Sequence, residues 1–268
     1  MIKRLIAGGI VLAGVGLLAA GQTGRIVLAW AQPTSGFAQC TADPRIWCEP
    51  GAEQVARTIA PLMAEAVGVV ERAHYGSFPE PVRVQVYGSR ESFARHSAVQ
   101  PIAYGATGFG AVHLSPRLAE DAPAVRAGIL AHELSHLHLQ QQAGVFAVAR
   151  LPNWFMEGLP TAVSNGGAAE RVSREQAVFA LVHGRHFEAD DEGSLFFPKR
   201  ADEFKLSWPM YYRQSSMMVG YMKQRDGAAF ERLIRDVAAG RAFGASVQAA
   251  YGQPLRVLWQ DFRADLSR

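Results

Sequence analysis

Apolar residues recur along this chain at two different spacings, and the spacing changes where the fold must change. From Ala52 to His74 they fall at Val55, Ile59, Met63, Ala66 and Val70, the step of an amphipathic helix, with Pro61 set either to kink it or to mark its start. Val82-Arg83-Val84-Gln85-Val86-Tyr87 alternates instead, which predicts a strand, and Gly88-Ser89-Arg90 turns the chain toward a short helix through Phe93. A second strand is expected from Gly108 to Ser115, between glycines at 105, 108 and 110 and Pro116. Neither Pro nor Gly interrupts Ile129 to Gln142, which reads as a helix, and a further helix is expected with Asn153 as N-cap and Asn165-Gly166-Gly167 as its stop. Helical stretches then follow at Arg174–His183, Tyr211–Arg225, Ala228–Ala239 and Leu255–Leu266. This order predicts an α+β fold, a small mixed sheet followed by a mainly helical C-terminal half.

The first 31 residues stand apart. Lys3 and Arg4 precede an uncharged apolar run from Leu5 to Gly21, and Ala29-Trp30-Ala31 offers a small-x-small cleavage site, the pattern of an export signal. Ile26 to Ala31 prolongs the apolar character beyond Arg25, so an uncleaved membrane anchor through residues 5–31 is equally compatible with the pattern. Glycines at 8, 9, 14 and 16 argue against a helix of the soluble domain. Either way the chain is expected outside the cytoplasmic membrane, in the cell envelope, free or anchored.

Charge follows the same division. Three of the 27 basic residues (Lys3, Arg4 and Arg25) and none of the 24 acidic ones lie in residues 1–31, so the remainder is balanced at 24 against 24. The basic balance therefore belongs to the targeting segment, and no basic patch points to nucleic acid. Cys40 and Cys48 are the only cysteines, in a Pro-containing stretch that reads as a linker over 32–50. In an oxidising compartment they are expected to pair, contributing roughly 2.5 kcal/mol by closing a short loop, with two free thiols as the alternative.

The chemistry concentrates at His132-Glu133-Leu134-Ser135-His136, inside the apolar run Ile129 to Leu139. Histidines four apart on a helix project from one face and can bind one zinc ion at about 2.0–2.1 Å, while Glu133, one position round, can act on a bound water without being a ligand. Three fixed letters arise by chance in roughly one chain in a hundred, so a third ligand is needed. Glu157 is the candidate: Leu151-Pro152-Asn153-Trp154-Phe155-Met156-Glu157-Gly158-Leu159 places a carboxylate in an apolar stretch, where it needs a partner.

These two segments together resemble the gluzincin zinc metallopeptidases, and within them the small bacterial peptidase-MA-like domains, whose W-x-x-E-G-[LF] helix supplies the third ligand. The resemblance covers most of the chain from about residue 52, with only the two zinc segments specific. It implies a zinc metallopeptidase-like domain over 51–268, a small sheet packed on the zinc-binding helices, and a peptide or protein substrate. Zinc on His132, His136 and Glu157 would lower the pKa of bound water to about 7, with Glu133 as general base. Tyr212 to Ser215 resembles the Y-x-Q-S that opens a later helix in such domains and implies Tyr212 as donor to the oxyanion, with Tyr211, His183 and His186 as rivals. Gly108-Phe109-Gly110-Ala111-Val112-His113 resembles in position the strand that holds substrate by edge addition, an ordinary core strand being the alternative.

The chain departs from the family at three points. Thr161 stands where thermolysin-like enzymes carry a bracing carboxylate, Pro160 sits inside the expected helix, and the aminopeptidase G-x-M-E-N signature is absent, which favours an endopeptidase. A non-catalytic envelope protein that keeps the metal site as a structural or binding element is the second reading, and the intact Glu133 weighs against it.

Overall fold

The computed structural model describes residues 22–191, 193 and 199–266. The apolar run Leu5–Gly21 lies outside them, and among the described residues no helix is long and apolar enough to cross a membrane. The described residues fall into two compact units, one from those up to Ala60 with Val82–Asp121 and one from Pro61–Pro81 with those from Ala122 on.

The first unit is built on a sheet of five short strands, β1 (Ala38–Gln39), β2 (Ile46–Cys48), β3 (Val84–Val86), β4 (Gly105–Gly108) and β5 (Ala111–Leu114), in the order β1-β2-β3-β5-β4. β2, β3 and β5 run parallel and the two outer strands antiparallel, so the sheet is mixed as expected. Val84, Gln85 and Val86 are all buried, which suits a central parallel strand covered on both faces. Helix α1 (Gln22–Trp30) packs against α4 (Arg90–Ser97), and α2 (Glu53–Ile59) follows β2. Ser89, whose hydroxyl accepts from the Ser92 amide, caps α4. The disulfide expected of Cys40 and Cys48 is present, with Cα atoms 5.8 Å apart, and ties the loop after β1 to the end of β2.

Two expectations are corrected here. The single strand read from Gly108 to Ser115 is a hairpin, because Phe109 (φ 53°) and Gly110 (φ 76°) both take positive φ and make a two-residue turn between β4 and β5. β5 is consequently paired on both sides, and the edge position belongs to β4, so Ala111–His113 has no open edge to offer a peptide.

The second unit is helical. Helix α3 (Met63–Ala73) is followed by α5 (Pro123–Ala143), α6 (Val145–Val148), α7 (Asn153–Val163), α8 (Arg174–Val182), α9 (Trp208–Arg225), α10 (Gly227–Ala238), α11 (Phe243–Tyr251) and α12 (Leu255–Leu266). Pro123 occupies the first turn of α5, where its missing N–H costs nothing, and Gly144 ends the helix at φ 79°. Pro152 rather than Asn153 is the N-cap of α7; the Asn153 side chain is used elsewhere, its amide donating to the Tyr211 hydroxyl at 3.3 Å. One core joins α7 (Trp154, Phe155, Leu159) to Phe187, Tyr211, Met218, Phe243 and Trp259, and it fixes α7 and α9 on one another.

Candidate metal centre

α5 carries His132 and His136 one turn apart, and α7 returns Glu157 to the same point. His132 Nε2 and His136 Nε2 are 3.2 Å apart, and Glu157 Oε2 lies 3.5 Å from the first and 3.6 Å from the second. Three donors bound at 2.0–2.1 Å in a tetrahedral arrangement would be separated by ~3.3–3.4 Å, so this triangle has the size of one face of such a site. The donor set, two imidazoles and a carboxylate, is one that first-row divalent metal ions accept. This group could therefore hold a metal ion.

The electrostatics of the group are those of a carboxylate shared by two rings. Burial would push the His136 imidazole down, but the hydrogen bond and charge of Glu157, with the charge of Glu133, outweigh it and hold His136 above its ordinary value. Burial would likewise raise Glu157, and hydrogen bonds from His132 and His136 overturn that and keep its carboxyl far below the usual range. Glu157 thus stays ionised, as a ligand must.

Helix packing explains how a fourth side chain reaches the group. At Gly158 a Cβ would lie 2.8 Å from the carbonyl carbon and oxygen of Ser215, so α7 and α9 touch backbone to backbone there. That approach brings Tyr212, one turn before Ser215, beside Glu157, the neighbour of Gly158. The Tyr212 ring stacks on His132 with centroids 5.8 Å apart, and its phenol is close enough to Glu157 to feel the carboxylate's charge. Burial first, then the Glu157 charge, holds the phenol well above its ordinary pKa, so it remains a neutral donor. Tyr211 points elsewhere: it is buried, accepts from Asn153 and donates to the Lys199 carbonyl at 3.4 Å. The two rival histidines bond backbone carbonyls, His183 that of Phe179 and His186 that of Phe187.

Glu133 is only 8% exposed, and its charge acts on both His136 and Tyr212, which places it beside the group without being part of it. Thr161, one turn beyond Glu157 on α7, is fully buried with its Oγ1 3.4 Å from His132 Nδ1. With a metal ion on His132 Nε2, the Nδ1–H would donate to this hydroxyl, a weaker brace than a carboxylate. Pro160 is accommodated inside α7, and its own carbonyl still accepts from the Ser164 amide at 2.9 Å.

Sequence reasoning missed a second layer behind α5. His74, at the end of α3, contacts Ser135 Oγ through Nε2 at 2.8 Å, and His138 Nε2 donates to the Gly76 carbonyl at 2.9 Å. Both rings are buried, edge to face at 4.6 Å. Sixty-one positions separate His74 from Ser135, and no local pattern signals the pair. His113 is a buried member of the first unit, 2.6 Å from the Tyr87 hydroxyl and 3.1 Å from the Gly108 carbonyl.

No family model and no curated protein matches this chain.

Proposed function

We propose that the chain is an exported zinc metallopeptidase of gluzincin type, hydrolysing peptide bonds in a peptide or protein substrate with Glu133 as general base. The observation that carries this reading is the triangle of His132 Nε2, His136 Nε2 and Glu157 Oε2 at 3.2–3.6 Å, with Glu133 and Tyr212 beside it. Zinc bound there supplies a Lewis acid that brings the pKa of water near 7 and polarises a scissile carbonyl.

The chain's own residues then divide the work. Glu133 takes the proton from the attacking water and carries it to the nitrogen of the departing amine, so one carboxylate serves as base and acid in turn. The neutral Tyr212 phenol donates a hydrogen bond to the oxygen on which negative charge develops. Thr161 holds His132 by its outer nitrogen. The Cys40–Cys48 disulfide suits an oxidising compartment, consistent with the export pattern of residues 1–31.

A non-catalytic metal-binding envelope protein is the second reading, favoured by a donor group that is complete in His132, His136 and Glu157 without Glu133. Glu133→Gln separates the two. Zinc content by mass spectrometry is expected to be unchanged, while cleavage of a peptide library falls by ~10²-fold or more. A wild type that binds no zinc would sink the metal assignment, equal cleavage by both proteins would sink the mechanism, and zinc without cleavage in either would establish the second reading.

A further inference from the structure

Helix α1 is apolar in composition yet the first unit covers little of it. Gly24 and Ala29 (4% exposed) are its buried residues, whereas Ile26 (44%), Leu28 (47%) and Trp30 (74%) are open. Ile26 and Trp30 are one turn apart on one strip, and Leu28 is exposed elsewhere around the helix. Large apolar side chains left open on a helix, Ile26, Leu28 and Trp30 here, are best accommodated against an apolar medium. Among the described residues of the first unit nothing supplies that medium; in the sequence α1 follows directly on the apolar run Leu5–Gly21, and Arg25 is the one charged residue from Leu5 to Ala31.

We propose that α1 stays on the mature protein and lies in the headgroup layer of an anionic membrane, joining the preceding apolar run to the folded unit. Seventeen apolar residues, Leu5 to Gly21, are near the lower limit for a span, and α1 adds the interfacial length that such a span lacks. Arg25 can extend its charge to lipid phosphates while its stem stays in the apolar layer, and Trp30 has the amphipathic ring that collects at membrane interfaces. Arg25 is the one charged residue of α1, and no acidic residue in the first 31 opposes its attraction to an anionic surface. On this account Ala29-Trp30-Ala31 is not a processing site. Cleavage after Ala31 would remove α1 from its seat on α4 and leave the site of buried Ala29 empty.

Two measurements on the full chain, expressed with its own N-terminus, test this. Intact mass of the protein recovered from the membrane fraction is expected to retain residues 22–31; a species beginning at Gln32 overturns the proposal. In phosphatidylcholine–phosphatidylglycerol vesicles, the Trp30 emission is the difference between wild type and Trp30→Phe, an exposed substitution that leaves the core intact. It is expected to be quenched more by lipids brominated near the headgroup than by lipids brominated deep in the chain, and to be shielded from aqueous iodide. Two outcomes of this second experiment overturn the proposal. One is unshielded quenching by iodide, and the other is shielding without any quenching by brominated lipid, which would mean that a second copy of the chain covers α1.

Discussion

Two buried histidine groups in this chain have opposite characters, and the reason is a single carboxylate. In the first unit His113 sits on β5 between the Tyr87 hydroxyl and the Gly108 carbonyl, with no anion in contact, and burial pushes its imidazole down to about 4. His113 Nε2 donates to the carbonyl, so Nδ1 is left as an acceptor for Tyr87, and the ring is locked neutral. In the second unit His136 is also mostly buried, with 13% of its side chain exposed, yet Glu157 holds it above its ordinary value. Burial by itself produces an inert imidazole. A convergent carboxylate produces a group that attracts a cation, either a proton or a metal.

Removing that carboxylate should have the largest effect. Glu157→Gln keeps the volume but leaves two buried imidazoles without their anion, and zinc affinity is expected to fall by more than the ~100-fold that loss of a supporting hydrogen bond produces. Competition with a chromophoric chelator measures it. Unchanged affinity would show that Glu157 is merely a partner of the histidines.

The first unit gives the converse test by pH. His113 has a folded value of about 4 against an ordinary 6.5, so between these values the unfolded chain binds a proton that the folded chain does not. Its contribution is therefore fully present above pH 6.5 and is lost as pH falls toward 4, amounting to roughly 3 kcal/mol at 1.36 kcal/mol per unit. Urea unfolding of wild type and His113→Gln from pH 7.5 to 4 should show a steeper loss in the wild type. Parallel curves would mean that His113 is hydrated and ordinary.

Thr161 tests whether the metal group depends on more than its ligands. Thr161→Val deletes the acceptor of the His132 Nδ1 hydrogen bond at nearly constant volume, and zinc affinity is expected to fall ~10- to 100-fold, with Thr161→Ser keeping the wild-type value. Equal affinity in all three proteins would reduce the 3.4 Å contact to packing.

Much of this arrangement could be read from the residues, and the parts that could not share a cause. Long periodic segments such as those of α5 and α12 carry enough positions to define a helix, and the spacing of His132, Glu133 and His136 needs only that helix to bring two imidazoles together. β1 and β2 are two and three residues long, too short for any period, and they hold their places through pairing and through the disulfide. The β4–β5 hairpin was read as one strand because its turn contains Phe109, a bulky residue in a conformation that favours glycine or asparagine. The choice of Tyr212 over Tyr211 depends on the backbone contact between Gly158 and Ser215, which is a property of two helices and not of either sequence segment. Site residues on one helix are thus legible from spacing, whereas those brought in by a second or third helix depend on how closely the helices approach.

Ser135 offers the smallest effect and the finest test of where the metal group ends. It lies between Leu134 and His136 on α5 but faces away from the ligands, toward His74, whose Nδ1 has no hydrogen-bond partner. Burial is the largest cause of the low pKa of His74, followed by the charges of His138 and His136, so its ring is neutral and has one proton to place. An unpaired N–H costs more than an unpaired lone pair in the interior, which puts the proton on Nε2, donating to Ser135 Oγ. Ser135→Ala removes that acceptor and strands the buried donor, at a cost of about 1–3 kcal/mol in unfolding free energy. Because the hydroxyl touches neither His132 nor His136, zinc affinity should remain that of the wild type, in contrast to Thr161→Val. A drop in affinity comparable to that of Thr161→Val would mean that His74 and Ser135 set the position of the metal helix itself, and the boundary of the site would then have to be moved back to include α3.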